Sequence, residues 1–475
     1  MSPPQLKVMK KSFGPLILLI LGIVCSYGQG IKYEKTLDDA LALSAKNNKP
    51  VFVFIKAPIP TDAMIPANVR IVGSTTGLDS KDVIDFYNKK FVSYQVMMTD
   101  SAAIKLRNQY HTTFYPAFIF LDSKGQIISK DGHNSRDPEK YMDMANKALD
   151  RIASGKTISY YEQLDKAGTI TADQLKEYIT LREELDMFDN AALADEYVNF
   201  LTIKSFDDYS TVLFVLKAGP YAYGKAFNLC HTNKKITDSI FKQEPTLVRL
   251  DINNRVIANT RNEAVKKKDG GMAVQAASFA SSTWGKNYPQ AGKASTLNMM
   301  NYYRAVKDTT RYFSQASYYY DTYYMNISTD SAKKIQQKIL DDNFTKSIKA
   351  SELVPNPNLP KNTTLALVAV HVIQGSQENL EVASSLHSGA YEFYTLGTHN
   401  PANLVKALLW CRRAIELQSN NPNYYDTMAH IMYRLNFYEE AVLNQNKAIE
   451  LAADESKTEQ DHLKDELAKM RTRKL

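Results

Sequence analysis

Lys49-Pro50-Val51-Phe52-Val53-Phe54-Ile55-Lys56-Ala57-Pro58-Ile59-Pro60-Thr61-Asp62-Ala63-Met64 is the stretch that decides the fold of the first domain. Val51 to Ile55 is an unbroken apolar run of β-branched and aromatic side chains. Such a run fits a strand buried on both faces of a largely parallel sheet, where alternation with polar residues is not required. The segment after Lys56 carries no cysteine, and the prolines at 58 and 60 shape a turn of their own.

Working outward, Thr36 caps an amphipathic helix whose apolar side is Leu37, Ala40, Leu41 and Leu43, with Asp38 and Asp39 at its positive end. On the other side, Ser80 to Lys89 reads as a second helix and Phe91 to Val96 as a second strand. Ser101 caps a short helix to Gln109. Tyr115-Pro116 enters a strand from Ala117 to Leu121, and Ser123-Lys124-Gly125 turns the chain into a hairpin partner at Gln126-Ile127-Ile128. A final helix runs from near Asp137 to about Ile152.

This order of elements resembles the thioredoxin fold, and more narrowly the exported thioredoxin-like domains that open on a Lys-Pro-Val strand. Phe114-Tyr115-Pro116-Ala117-Phe118-Ile119-Phe120-Leu121-Asp122 is similar to that family's cis-proline loop and following strand. The resemblance implies a cis Tyr115-Pro116 bond beside the usual active site. It also exposes a departure. Where active members carry Trp-Cys-x-x-Cys at a helix start, this chain aligns Ile59 and Asp62 with the two cysteines and has no tryptophan at that motif. Isoleucine offers no nucleophile and aspartate forms no disulfide, so dithiol exchange is excluded at this position. Asp62 and His111 are the remaining ionisable groups there. An aspartate at a helix start is ordinarily a cap, and a histidine before this loop ordinarily serves the surface, so no catalytic residue is assigned. The expectation is a retained peptide-docking groove at Ile59, Asp62, Tyr115 and Pro116, since backbone pairing with an extended peptide needs no thiol. A purely structural remnant is the alternative.

From Tyr160 onward the sequence reads as helices only. Thr171-Ala172-Asp173-Gln174 is a capping-box start, and the Phe188-Asp189-Asn190 turn leads to a partner helix. Leu297–Val306 and Arg311–Tyr324 form another pair around Asp308, with Ala316 at the expected close contact. Nearer the C-terminus, Tyr391, Tyr394, Leu404, Ala407 and Ala414 recur as Tyr425, Met428, Tyr438, Ala441 and Ala448, each offset by 34 residues. In a helix hairpin, large residues of one helix fill the space left by alanines of the next. The spacing resembles tetratricopeptide repeats and implies these residues as repeat-packing positions, with a charged last helix as polar cap. Nine aromatic residues crowd between Tyr302 and Tyr324, and helical spacing sends most of them into packing, leaving a few for a groove.

Composition bounds the rest. The chain has 475 residues, 44% hydrophobic and 23% charged, too long for one core. Lys7, Lys10 and Lys11 followed by apolar Leu16 to Cys25 read as a secretory signal, with cleavage before Gln29. Those lysines account for part of the formal charge of +7, so the remainder argues against nucleic acid as partner. Ten apolar residues are too few to span about 30 Å of hydrocarbon, and no later stretch suffices. Lipidation at Cys25 is the alternative, against which Val24 stands where a small residue is wanted. Cys230 and Cys411 then remain as buried structural thiols. No metal-ligand spacing, phosphate loop or cofactor motif is present.

The expected architecture is therefore α/β plus all-α. Residues 1–28 form a signal peptide and 29–154 a thioredoxin-like domain with a central mixed sheet. Residues 155–360 form a helical region with degenerate repeats, 361–455 tetratricopeptide-like repeats and 456–475 a charged capping helix. The expected function is an exported, non-enzymatic adaptor or chaperone-like scaffold that binds a protein or peptide partner. The alternatives are an oxidoreductase-related enzyme using a non-standard thiol such as Cys230, and a structural spacer.

Overall fold

The computed structural model describes residues 30–57, 76–132, 134–352 and 380–475. The segment expected to be a signal peptide and the positions Ile59 and Asp62 lie outside the described residues. Two compact units follow one another along the chain, Met1–Met187 and Phe188–Leu475.

The first unit is built on a five-stranded mixed sheet. Its strands are β1 (Tyr33–Glu34), β2 (Val51–Lys56), β3 (Val92–Met97), β4 (Ala117–Leu121) and β5 (Ile127–Gly132), in the spatial order β1-β3-β2-β4-β5. β1 and β2 both run parallel to β3, whereas β4 runs antiparallel to β2 and to β5. β2 is central, pairing Val51 with Val92 on one side and with Leu121 on the other. That position explains its unbroken apolar run, because both faces pack against helices.

Alternation along β2 splits the core in two. Val51, Val53 and Ile55 face α1 (Leu37–Asn47) and α3 (Ser101–Gln109). Phe52 and Phe54 face α2 (Lys81–Lys90) and α4 (Pro138–Ser154). On that second face Phe52 meets Tyr87 edge-on at 4.7 Å, and Phe118 meets Tyr141 at 5.4 Å. Each such ring contributes about 1.5–3 kcal/mol through burial alone. The caps follow the sequence: Thr36, Ser80 and Asp137 accept from backbone N–H groups of the next turn. The cap of α3 is Asp100 rather than Ser101.

The unit continues past residue 154 through α5 (Ile158–Lys166) and α6 (Ala172–Glu184). Ion pairs account for this: Arg151 of α4 meets Glu184 at 2.8 Å, and Lys156 meets Glu177 at 2.7 Å. Thr171 and Gln174 form the expected capping box.

The second unit is helical, with no strand among the described residues. Its helices are α7 (Ala191–Tyr197), α8 (Tyr209–Lys217), α9 (Lys225–Cys230), α10 (Lys234–Gln243), α11 (Thr246–Lys267), α12 (Gly270–Ser282), α13 (Tyr288–Ala305), α14 (Thr309–Tyr323) and α15 (Thr329–Glu352). After residue 380 come α16 (Glu381–Thr395), α17 (Pro401–Leu417), α18 (Pro422–Arg434), α19 (Tyr438–Leu451) and α20 (Lys457–Arg471). Asn400-Pro401 and Asn421-Pro422 start α17 and α18 alike: the asparagine side chain accepts from the second following N–H, and proline fills the first helical position. From α11 to α14, and again from α16 to α20, successive helices pack as neighbours.

The largest core cluster of this unit centres on Trp410, fully buried against Phe393 at 4.8 Å and Tyr320 at 4.9 Å. Close approach there requires Gly389, where an added Cβ would sit 2.5 Å from the Tyr320 ring. No described helix is long and apolar enough to cross a membrane.

Candidate functional site

The end of β4 carries the Tyr115-Pro116 pair, and this peptide bond is cis. Pro116 is buried and Tyr115 half-buried. Pairing of β4 with β2 begins only at Ala117, so Tyr115 lies just outside the ladder. Among the described residues, its backbone N–H and C=O have no hydrogen-bond partner. Thr112, three residues earlier, is buried with its hydroxyl unpartnered among the described residues.

A lysine on β5 fixes the loop that leads into this pair. The Lys130 Nζ donates to the Tyr110 and His111 carbonyls, both at 3.0 Å, and meets Asp186 at 2.9 Å. Its side chain is 2% exposed. Burial lowers the ammonium's pKa, and the Asp186 carboxylate opposes that shift. His111 takes a left-handed backbone, with φ at +51°, and points its carbonyl to Lys130 while its side chain stays exposed. Tyr110 completes the clasp by donating from its hydroxyl to the Gly125 carbonyl at 2.9 Å.

Of the sequence-derived groove residues, Tyr115 and Pro116 are adjacent at this sheet end. Ile59 and Asp62 fall outside the described residues. Lys130 was not singled out by sequence reasoning, because a lysine in a hairpin strand reads as a solvated position.

A cleft of about 1100 Å³ lies in the same unit, between α4 and the α5–α6 pair. Its wall is charged and in part internally paired. Glu184 takes both Lys147 and Arg151, and Glu177 takes Lys156 and the Tyr161 hydroxyl.

In the second unit, Ala407, Ala414, Ala441 and Ala448 are fully buried. Tyr425 packs beside Ala448 and Ala452, and Tyr438 meets the Tyr433 ring at 5.0 Å while donating to Asn436. Tyr391 stands apart: it is 50% exposed, and Phe393 two residues later fills the core instead. Of the clustered aromatics, Tyr302, Tyr312, Tyr319, Tyr320 and Tyr324 are buried, and Tyr318 faces solvent.

Both described cysteines are free and buried. Desolvation pushes the Cys230 thiol up to about 12 and raises Cys411 as well. Neither supplies a thiolate near neutral pH.

No protein family's sequence profile matches the chain, and no curated protein matches it.

Proposed function

We propose that the chain is an exported polypeptide-binding protein without catalytic activity, built from a thioredoxin-like module and a tetratricopeptide-like array. The strand order β1-β3-β2-β4-β5, with β4 and β5 as the antiparallel pair, supports the first assignment. Buried alanines at matching positions of consecutive helix hairpins support the second. The observation that carries the functional reading is the Tyr115 backbone beside cis Pro116, unpaired among the described residues. An N–H and a C=O at the end of a sheet accept an extended chain by strand-like pairing. Lys130 holds the preceding loop still, so a partner would not have to order it. With Ile59 and Asp62 at the aligned redox positions and both other thiols buried, gripping without electron exchange is the chemistry left.

The test uses residues 29–475 with Tyr115→Cys labelled by a benzophenone maleimide, the native thiols being shielded. Irradiation with a reduced, carboxymethylated polypeptide should give adducts at this label well above those at a Lys124→Cys control. Equal yields at both labels, or disulfide turnover by the unmodified chain, would sink the reading.

A further inference from the structure

The groove between α11 and α13 holds a cation that nothing in it matches. Arg261 of α11 lines both a cavity of about 490 Å³ and a neighbouring one of about 650 Å³. Its guanidinium donates to the Asn298 amide oxygen at 3.2 Å and, among the described residues, forms no ion pair. Burial lowers its pKa, with no carboxylate opposing the shift.

Several other arginines of the molecule have a carboxylate partner. Arg255, on the same helix, meets Asp251 at 2.8 Å, Arg151 meets Glu184, and Arg304 at the far end of the groove pairs with Glu392. A partly buried cation lacking such a partner is costly, and a bound anion removes that cost. Neither cavity has an aspartate or glutamate in its wall, unlike the cleft of the first unit.

The opposite end of the groove is apolar. Leu250 is 51% exposed and Trp284 47% exposed, side by side in the lining of the smaller cavity. Between these ends, Asn253 and Asn254 offer amide donors and acceptors suited to a peptide backbone. Leu250 and Arg261 lie on one helix, so a rise of 1.5 Å per residue separates them by about 16 Å. An extended chain covers that distance in about five residues.

We propose that this groove binds an extended polypeptide segment whose carboxylate side chain pairs with Arg261 and whose aromatic or large aliphatic side chain, about five residues away, rests on Leu250 and Trp284. The proposal rests on the polypeptide-binding reading and gives it a ligand chemistry.

Trp284 reports on the groove directly, because the chain's other tryptophan, Trp410, is fully buried in the core. The probe is acetyl-Phe-Ser-Ser-Ser-Ser-Asp-amide, titrated into residues 29–475 alongside the same peptide ending in asparagine amide. The aspartate peptide should bind at least about tenfold tighter, and that preference should fade as salt rises. Arg261→Gln should abolish the preference and Arg261→Lys should keep part of it. Should Arg261→Gln fail to fold, the salt series on the unaltered chain decides: a preference that persists at high salt overturns the pairing.

Equal binding of both peptides removes the Arg261 assignment and leaves polypeptide binding standing. Binding of neither peptide overturns this groove, while crosslinking at Tyr115 judges the broader reading separately. A preference surviving in a folded Arg261→Gln variant overturns it too.

Discussion

Lys130 shows how much of the candidate site depends on one side chain that the sequence gives no reason to single out. Its ammonium satisfies two backbone carbonyls and one carboxylate in a space closed to water. Lys130→Met fills similar volume but supplies no donor, so two carbonyls lose their partner and Asp186 its counter-ion. The expected loss is about 2–4 kcal/mol, read as a lower denaturant midpoint. An unchanged midpoint would mean that water replaces the lysine without cost. Cys230 and Cys411 give the opposite case, where position removes chemistry that the residue type allows. With the Cys230 thiol pushed up to about 12, its thiolate fraction at pH 8 is about one in ten thousand. Iodoacetamide at pH 8 should leave both cysteines unmodified in the native protein and modify both in guanidinium, as mass spectrometry would show. Rapid native labelling of Cys230 would revive an enzymatic reading. Tyr391 marks the limit of pattern reading at this scale. The 34-residue spacing equates it with Tyr425, yet the neighbours differ: Tyr425 has a following helix to pack on, while Phe393 takes the core position beside Tyr391.

Elements were more legible than residues, because caps and periodicity are local. Thr36, Ser80, Asp137, Thr171 and Asp308 each cap the helix their position announces. β1 escaped notice, since Tyr33–Glu34 is a two-residue strand that exists only by pairing with β3. The final helix, read as a charged cap, is also tethered by charge. The Glu466 carboxylate of α20 takes Lys469 at 2.5 Å and the His430 ring at 3.1 Å. Next to that ring, Asp426 accepts from the Gln445 amide. Burial alone would raise the Glu466 carboxyl, but the hydrogen bonds from Lys469 and His430 outweigh it and hold its pKa below the ordinary 4.5. A lowered carboxyl stabilises the fold fully above its unfolded value, and this contribution is lost as pH falls through the folded value. The protection of residues 457–471 against hydrogen exchange, relative to the intrinsic rate at each pH, should therefore hold at pH 6 and fall below about pH 4, sooner than in α17. Glu466→Gln should flatten that pH dependence. A helix whose protection stays constant across this range would show that the tether carries no stability.

At the scale of the whole molecule, a five-stranded mixed sheet followed by a helical array is what the change from alternating to purely helical patterning announces near residue 155. The compact boundary at Met187 lies later, because the ion pairs that tie α6 to α4 and to Lys156 just after it join positions distant in sequence. Long-range pairing of this kind has no periodic signature, and the same is true of the unmatched Arg261. Local pattern does carry a testable expectation for the N-terminal segment. Three lysines ahead of an apolar run of ten residues have the pattern of a secretory signal, and the proposal of export predicts that this segment is removed. Expressed from its full reading frame in a bacterial host, the protein should leave the cytoplasm and begin at Gln29, as intact-mass measurement of the exported fraction would show. The three lysines would depart with the leader, lowering the positive charge of what remains. A product starting at Cys25 with an attached acyl chain would instead tie the molecule to a membrane surface. Retention of Met1 on cytoplasmic protein would overturn export and move the search for a polypeptide partner inside the cell.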